Sequence, residues 1–306
     1  MFKKADDLQE KLAKIEKIFD INRIFKIQAN KNYIQKYYLW NRLAYSLFHS
    51  KKGFIHFAIS RDGIYKESDL LEAVNFVAKY IKENKAKDVL ELACGRGANS
   101  FYLADKFKDI KFYGIDLSRG QLNYARKRIN KFRNVRINQG DFHNLENFEK
   151  NKFDIVFIIE SLCHSPHKEI VLEEVNRVLK PEGIFIVIDG YWRNSDKKSD
   201  LERKTKKLGE LSMAVNNFET YSNFIIQAKE KNFYIKYEEK VSKFLLPNAR
   251  KFAKLASKFF NRPKLAKFLK TFLPEIFLLN SIAGYLSPNV IEQGFFKYYL
   301  TVLIKK

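Results

Sequence analysis

Short apolar runs alternate with amphipathic stretches through the middle of the chain. Five such runs occupy residues 89–94, 112–116, 135–139, 153–159 and 184–189. Between them lie stretches with the periodicity of helices. Apolar strands separated by helices are typical of βαβ units, in which the strands are parallel and buried on both faces. The pattern therefore predicts a parallel sheet between about residues 69 and 190.

Helices and two more strands flank this core. Residues 1–67 are rich in Lys, Tyr and Phe and predict N-terminal helices, while alternating runs at 233–240 and 295–304 predict two further strands. Helical stretches at about 195–217 and 243–291 fall between strands, which predicts a cap inserted over one end of the sheet. The expected fold is α/β, a Rossmann-like three-layer sandwich with a mostly parallel seven-stranded sheet. We expect a main domain over residues 68–306, preceded by the N-terminal helical segment 1–67.

Composition narrows the class of protein. The chain has 306 residues, of which 46% are apolar, and a formal charge of +22. That apolar content is too high for a disordered chain. The longest nearly uncharged stretch, 276–291, is broken by Asn, Ser and Pro and is shorter than the roughly 20 apolar residues of a spanning helix. The start of the chain lacks the apolar centre of a secretory signal, so a cytoplasmic location is expected.

The strongest chemical signal follows the first strand. The strand carries Glu91, and the loop after it places Ala93, Gly95 and Gly97 at alternate positions before a helix. Small residues let the backbone approach a ligand closely, and the start of the helix offers free N–H groups. The loop therefore predicts a ligand site at the end of this strand.

Two acidic positions at regular spacing strengthen that prediction. Asp116 ends the second strand 25 residues after Glu91, where a carboxylate can accept hydrogen bonds from ribose hydroxyls. Another 25 residues on, Asp141 and Phe142 follow the third strand, where they can bind an adenine amino group and cover the ring. The carboxyl ends of parallel strands meet at one edge of the sheet, so these side chains should share a site.

These motifs resemble those of the class I S-adenosylmethionine-dependent methyltransferases. The resemblance covers about residues 68–190 through ELACGRG, GIDLS, QGDFH, ESLCHSP and LKPEG, the last of which is expected to form a turn before the fifth strand. Ala93 departs from the pattern, which more often has Gly there. ESLCHSPHK also resembles the sterol and tocopherol methyltransferases, which act on small or lipid-like acceptors. The resemblance implies S-adenosylmethionine as the cofactor, bound by Glu91, Ala93, Gly95, Gly97, Asp116, Leu117, Gln121, Asp141 and Phe142.

Glu160 and His164 are the candidate catalytic residues. Both lie where the fourth strand meets its loop, next to the expected methyl group, and can orient an acceptor or remove a proton. The alternatives are that Glu160 only caps a loop amide and that His164 only packs. His56 and Tyr65 are weaker candidates for the pocket wall. His164 and His167 have no convincing third ligand, so no metal site is expected.

The segment 243–270, which we call the basic segment, concentrates positive charge. It contains nine basic residues and no acidic residue. Around residues 250–260, Lys251, Lys254 and Lys258 share one side of a predicted helix, while Phe252, Leu255, Ala256 and Phe259 share the adjacent side. Such a helix suits the surface of an anionic membrane, although its lysines can also be a solvated face. Peripheral contact with a membrane is the expectation.

The sequence thus predicts a methyltransferase acting on a small, lipophilic acceptor such as an isoprenoid, sterol, quinone or lipid head group. An RNA methyltransferase that uses the Lys-rich surface is the alternative, although no nucleobase motif or RNA-binding module supports nucleic acid as a partner. A cofactor-binding protein without activity is a third reading. The oligomeric state and the methylated element stay open.

Overall fold

A single seven-stranded sheet lies at the centre of the molecule. The computed structural model describes residues 2–195 and 198–306, with all their side chains except those of residues 2–6 and 43. The strands are β1 (Asp88–Leu92), β2 (Lys111–Asp116), β3 (Val135–Gln139), β4 (Phe153–Ile159), β5 (Leu179–Trp192), β6 (Phe233–Lys240) and β7 (Phe296–Lys305). Their order is β3-β2-β1-β4-β5-β7-β6, and only β7 runs antiparallel to its neighbours. The predicted α/β fold with a mostly parallel sheet is confirmed.

The central strands are mostly apolar because helices cover both faces of the sheet. In β4, Ile155 and Phe157 face one buried cluster, whereas Val156 and Ile158 face another. The side chains of successive residues point to opposite faces of a strand, so a strand covered on both sides has few polar positions. This explains why the sequence shows continuous apolar runs here.

One predicted turn is part of a strand. Residues 179–183 were expected to form a turn before the fifth strand, but β5 already begins at Leu179, which pairs with Phe153. The register of this pairing shifts between Phe153 and Ile155, and Glu182 has a positive φ of 61°. Four residues of β5 thus face a single residue of β4 between these pairs, and a Pro followed by a positive φ fits the predicted turn, which is inserted within the strand.

Helices surround the sheet on both faces and over one end. They are α1 (Phe2–Glu16), α2 (Ile21–Ile24), α3 (Lys31–Ala44), α4 (Leu71–Glu83), α5 (Ala98–Lys106), α6 (Arg119–Ile129), α7 (Lys168–Val178), α8 (Asp200–Ser212), α9 (Tyr221–Glu230), α10 (Leu246–Phe260), α11 (Pro263–Phe272) and α12 (Glu275–Glu292). A π-helical turn, Tyr45–His49, extends α3, and short 3₁₀ turns occupy Glu67–Leu70, Leu162–His164 and Ser242–Leu245. In the described part of the chain, no helix is both long and apolar enough to cross a bilayer.

The predicted cap consists of α8 and of α10 to α12. The first insertion was expected at about 195–217; its residues 196 and 197 lie outside the described part. The helices of the cap share a buried cluster with the N-terminal helices, in which Leu8 and Leu12 of α1 join Leu208 of α8 and Leu279 of α12. The N-terminal segment thus packs on the cap, and a domain boundary at residue 68 stays a prediction.

The prediction of helices over all of residues 1–67 is wrong for residues 50–66. This segment has no helix and runs over the cap and the sheet. Its backbone N–H groups bind distant partners: that of Ala58 donates to Asn248 Oδ1 at 3.0 Å, and that of Ser60 donates to the carbonyl oxygen of Phe244 at 2.9 Å. Positive φ angles at Gly53 and Gly63 interrupt it further. Because tertiary contacts satisfy these N–H groups, the segment needs no helical hydrogen bonds.

The strand order creates a crevice at the carboxyl edge of the sheet. From β1 the chain proceeds outward to β2 and β3, then returns to place β4 on the other side of β1. The connections after β1 and β4 therefore leave in opposite directions, and a crevice opens between them. Open α/β sheets bind their ligands at such a point.

Candidate active site

The loop after β1 requires small residues for its backbone conformation. Ala93, Gly95 and Gly97 have φ angles of 53°, 53° and 72°, in the left-handed region that favours glycine. A Cβ on Gly97 would lie 2.7 Å from Cδ1 of Ile137, so close packing also requires glycine there. Gly97 caps the N-terminus of α5. Ala93 adopts the same conformation as the glycines at the cost of steric strain.

Glu91 fixes the start of α5 against β1. Its carboxylate accepts hydrogen bonds from Asn99 Nδ2 at 2.9 Å and from the backbone N–H of Ser100 at 3.1 Å. The side chain is buried, and burial raises its pKa to about 7. Glu91 therefore supports the loop from behind while it also forms part of the wall of the crevice.

Asp116 binds the loop from the end of β2. One carboxylate oxygen accepts from the N–H of Gly95 at 2.8 Å, and the other accepts from the N–H of Ser118 at 2.7 Å. Burial raises its pKa to about 6. Each oxygen retains a second lone pair, so the carboxylate can also accept hydrogen bonds from a pair of ligand hydroxyls.

Asp141 lies beyond the end of β3 and is held from two sides. It accepts a hydrogen bond from His143 Nδ1 at 2.7 Å and pairs with the ammonium of Lys31 at 2.5 Å. The hydrogen bond with His143 and the contact with Lys31 hold the pKa of Asp141 well below its usual range. The carboxylate is therefore ionised and fixed in position. Phe142 packs beside it, with its ring centroid 4.7 Å from that of His143.

These side chains surround one cavity of about 490 Å³, which we call the first cavity. Eight of the nine predicted cofactor residues line it; the exception is Gly97, which lies behind its wall. Leu117 and Gln121 line it as well, and Gln121 is held by Arg96, whose Nε donates to Oε1 at 2.9 Å. The volume lies within the range of about 300–1,000 Å³ typical of ligand sites. Two carboxylates, a ring and a glycine-rich loop before a helix fit a nucleoside-bearing ligand.

A second cavity, of about 480 Å³, adjoins the first. The cap contributes much of its wall, which includes Phe252, Leu255, Ala256 and Phe259 of α10. The predicted apolar side of this helix therefore faces a cavity, while Lys251, Lys254 and Lys258 are exposed. Four residues line both cavities and mark their junction: Tyr38, Ile55, Glu160 and His164.

Glu160 lies at this junction in a strained conformation. Its φ is 48°, and its Oε1 accepts hydrogen bonds from the N–H of Phe57 at 2.7 Å and the hydroxyl of Tyr298 at 2.6 Å. Oε2 has no hydrogen-bond partner among the described residues, although the side chain faces both cavities. Burial raises the pKa of Glu160 to about 8. Glu160 thus caps a loop amide with one oxygen and leaves the other free for a ligand.

His164 is neutral and engaged on both ring nitrogens. Nδ1 lies 3.0 Å from the carbonyl oxygen of Ala214, to which it must donate, so Nε2 accepts from the hydroxyl of Tyr38 at 2.9 Å. Burial lowers its pKa to about 4. The arrangement suits a residue that orients Tyr38 at the junction. Among the described residues, no group of three or more His, Cys, Asp or Glu side chains could hold a metal ion.

Comparison with known proteins identifies the family. A family model described as a methyltransferase domain matches residues 83–243, which is more than half of the chain. The chain belongs to this family. The methyltransferase resembles a fatty-acid O-methyltransferase of Mycolicibacterium smegmatis, with 34% identity over 148 residues, covering 48% of this chain and 52% of the relative. It also resembles a sterol 24-C-methyltransferase of Kluyveromyces lactis, with 33% identity over 131 residues, 42% of this chain and 34% of the relative.

A solved structure supports the fold. A mycolic acid cyclopropane synthase complexed with S-adenosylhomocysteine superposes with a TM-score of 0.73 at 13% identity, covering 92% of this methyltransferase and all of that chain. The methyltransferase spans about half or less of the length of the two curated relatives described above. Family membership confirms the predicted class, the class I S-adenosylmethionine-dependent methyltransferases, and with it the predicted cofactor.

Some residues of the site could not be found from the sequence. Lys31 and Tyr38 come from α3, and Tyr298 comes from β7, far from any motif.

The two weaker candidates for the pocket wall have different outcomes. His56 is buried and lines the first cavity, and its Nε2 lies 3.3 Å from Asn99 Oδ1. Tyr65 lies outside both cavities, where its hydroxyl accepts from Lys251 at 2.9 Å.

Proposed function

We propose that this methyltransferase transfers a methyl group from S-adenosylmethionine to a small, lipophilic acceptor bound in the second cavity. The observation that carries the proposal is the junction of two cavities of different character at Glu160 and His164. One has the carboxylates and the glycine-rich loop that suit a nucleoside. The other is walled largely by the apolar side chains of the cap. A ligand in each would meet at the shared residues.

The chain's own residues would hold the cofactor and orient the acceptor. Asp116 and Asp141 would bind the polar groups of the nucleoside, and the loop at Gly95 would let its backbone approach closely. S-adenosylmethionine bound there would supply an electrophilic methyl group on a positively charged sulfur. The cap would exclude water from this methyl group, which favours transfer to the acceptor.

Glu160 and His164 remain our candidates for the acceptor end of the reaction. Oε2 of Glu160 is free to hydrogen bond with an acceptor, and in its ionised form it can take the proton that the acceptor loses. His164 would act through Tyr38, whose hydroxyl donates a hydrogen bond to His164 Nε2 at 2.9 Å. We assign Glu160 the catalytic role and His164 a positioning role.

The apolar wall and the family relatives support the acceptor class. The two relatives described above are named for fatty acids and sterols. By analogy we propose an isoprenoid, sterol, quinone or lipid-like molecule for this chain. The second cavity, at about 480 Å³, has room for a molecule of that kind.

We further propose that the protein is cytoplasmic and touches an anionic membrane through the basic segment. Its lysines at positions 254, 258, 264 and 267 are exposed, as are Phe268 and Phe272, with 60% and 71% of their surface accessible. Leu255 and Leu273, also exposed, line the second cavity. Exposed apolar and basic side chains together suit an anionic bilayer surface, from which a lipophilic acceptor could enter the cavity.

Transfer of label from adenosylmethionine tests the proposal. The protein is incubated with methyl-labelled cofactor and total cell extract, which is then split into lipid, RNA, protein and small-molecule fractions. We expect label in the lipid fraction and none with Asp116→Ala protein. Label in RNA would support the Lys-rich surface as a nucleic-acid site and contradict the lipophilic acceptor. Failure to form S-adenosylhomocysteine with any fraction would contradict methyl transfer itself.

A further inference from the structure

Gly209 occupies the interior of α8 without a conformational reason for being glycine. Glycine inside a helix is less stable than alanine because the unfolded chain has more conformational freedom at glycine, so a glycine there calls for an explanation. All twelve glycines lie in the described part of the chain. Gly209 alone among them has neither a positive φ nor any atom within 4 Å of where a Cβ would lie.

Other glycines show the usual reasons by contrast. A Cβ on Gly190 would lie 2.1 Å from Cζ of Phe296, so packing requires glycine. A Cβ on Gly294 would meet nothing within 4 Å, but its φ of 69° requires glycine for the backbone. Neither reason applies to Gly209. The space beside it is what distinguishes the position.

That space is the second cavity. Thr205 and Gly209 of α8 and Met213, the residue that caps its C-terminus, all line the cavity and are spaced four residues apart, so they lie along one side of the helix. Gly209 therefore presents no side chain at the centre of the stripe that α8 contributes to the wall. The neighbouring helix α12 also contributes small residues to the wall, Ala283 and Gly284.

The stripe runs away from the junction of the two cavities. Ala214, next to Met213, accepts the hydrogen bond of His164 and so lies at the reacting end. With a rise of about 1.5 Å for each residue, Gly209 lies about 6 Å before Met213 along the helix, and Thr205 about 12 Å before it. A side chain at position 209 would thus narrow the cavity about one helical turn away from its reacting end.

We propose that Gly209 sets the depth of the acceptor cavity and thereby lets the protein take an elongated acceptor whose apolar tail passes α8. The inference rests on the proposed function, since it assigns the second cavity to the acceptor. It narrows the acceptor class to molecules with a long apolar portion beyond the methylated group. A short acceptor would leave the space beside Gly209 unused.

A homologous series of probes tests this assignment. Binding of octanol, decanol, dodecanol and tetradecanol is measured by calorimetry with S-adenosylhomocysteine present. In the unmodified protein, affinity should rise about fourfold for each added methylene that is buried. In Gly209→Phe the rise should stop at a shorter alcohol. Lys207→Phe, which adds the same ring two residues away on α8 and hence on a different face, should keep the limit of the unmodified protein.

Two measurements keep the result interpretable. Binding of S-adenosylhomocysteine shows whether each variant is folded around the first cavity, and Gly209→Ala should raise Tm by about 1 °C because alanine favours the helix. An unchanged length limit in Gly209→Phe protein that binds S-adenosylhomocysteine would overturn the inference, as would absence of alcohol binding to the unmodified protein. If the unmodified protein does not bind S-adenosylhomocysteine, the proposed function itself fails.

Discussion

Replacing Glu160 by Gln removes the charge of a buried carboxyl while keeping its shape. Oε1 of the carboxyl accepts hydrogen bonds from the N–H of Phe57 and the hydroxyl of Tyr298, and the amide oxygen of Gln can accept both. Oε2, which has no hydrogen-bond partner among the described residues, becomes the amide nitrogen. The substitution therefore changes ionisation with little change in packing.

The expected gain in stability follows from the raised pKa. Folding raises the pKa of Glu160 from 4.5 to about 8, so the folded protein disfavours the ionised form. Well below pH 4.5, Glu160 is protonated in both the folded and the unfolded protein, so it does not lower the free energy of unfolding. As the pH rises, the unfolded chain ionises first, and the penalty grows to about 3 kcal/mol at pH 7 and about 5 kcal/mol above pH 8. Glu160→Gln should remove this penalty.

Thermal unfolding without ligands measures the effect. In a chain of 306 residues, 1 kcal/mol corresponds to roughly 1.5 °C, so Glu160→Gln should raise Tm by about 5 °C at pH 7 and leave it unchanged at pH 4. The variant should also lose methyl transfer, because Gln cannot take a proton. A residue with a purely structural role would not combine higher stability with lower activity.

A matched substitution controls for the loss of a negative charge. Glu230→Gln, at the exposed end of α9, should leave both Tm and activity near those of the unmodified protein. If Glu160→Gln and the unmodified protein have the same dependence of Tm on pH between 4 and 8, Glu160 is not a buried acid and the reasoning is wrong. Retained activity would remove it from the reaction.

Three further outcomes are expected. Asp116→Ala leaves two N–H donors unpaired and should weaken binding of S-adenosylhomocysteine about 100-fold or more by calorimetry; unchanged affinity would overturn the cofactor site. Ala93→Gly should raise the free energy of unfolding by about 0.5–1 kcal/mol in urea, because relief of the left-handed strain exceeds the added entropy of the unfolded chain. Charge reversal by Glu at lysines 254, 258, 264 and 267 should abolish flotation with anionic liposomes, whereas the same change at lysines 79, 82, 106 and 127 should not; equal flotation of both variants would contradict the membrane contact.

The sheet and the edge that carries the site were predictable because they depend on local patterns. Strands such as β4 are buried on both faces, so each leaves a continuous apolar run in the sequence. Asp116 and Asp141 follow directly from the ends of such strands, which share one edge of the sheet. Once the strands are found, their end residues must lie near one another.

The second cavity was not predictable because it depends on distant contacts. Tyr298 reaches Glu160 across 138 positions in the chain, and Tyr38 reaches His164 across 126. Helical periodicity shows that α3 and α10 each have an apolar side, but not which surface that side meets. Residues 50–66 illustrate the same limit, since the partners of Ala58 and Ser60 lie almost 200 residues away.

The two cavities differ in how much of their wall lies inside the region shared with the family. The family model ends at residue 243, whereas α10, α11 and α12 lie beyond it and α3 lies before its start. Most of the wall of the second cavity comes from these outer segments, while Glu91, Asp116 and Asp141 all lie within the shared region. The residues that bind the cofactor and most of those that shape the acceptor cavity thus lie in separable stretches of sequence, with Gly209 of α8 as an exception inside the shared region. Exchanging the outer segments between relatives should change which acceptor is chosen and leave the donor of the methyl group the same.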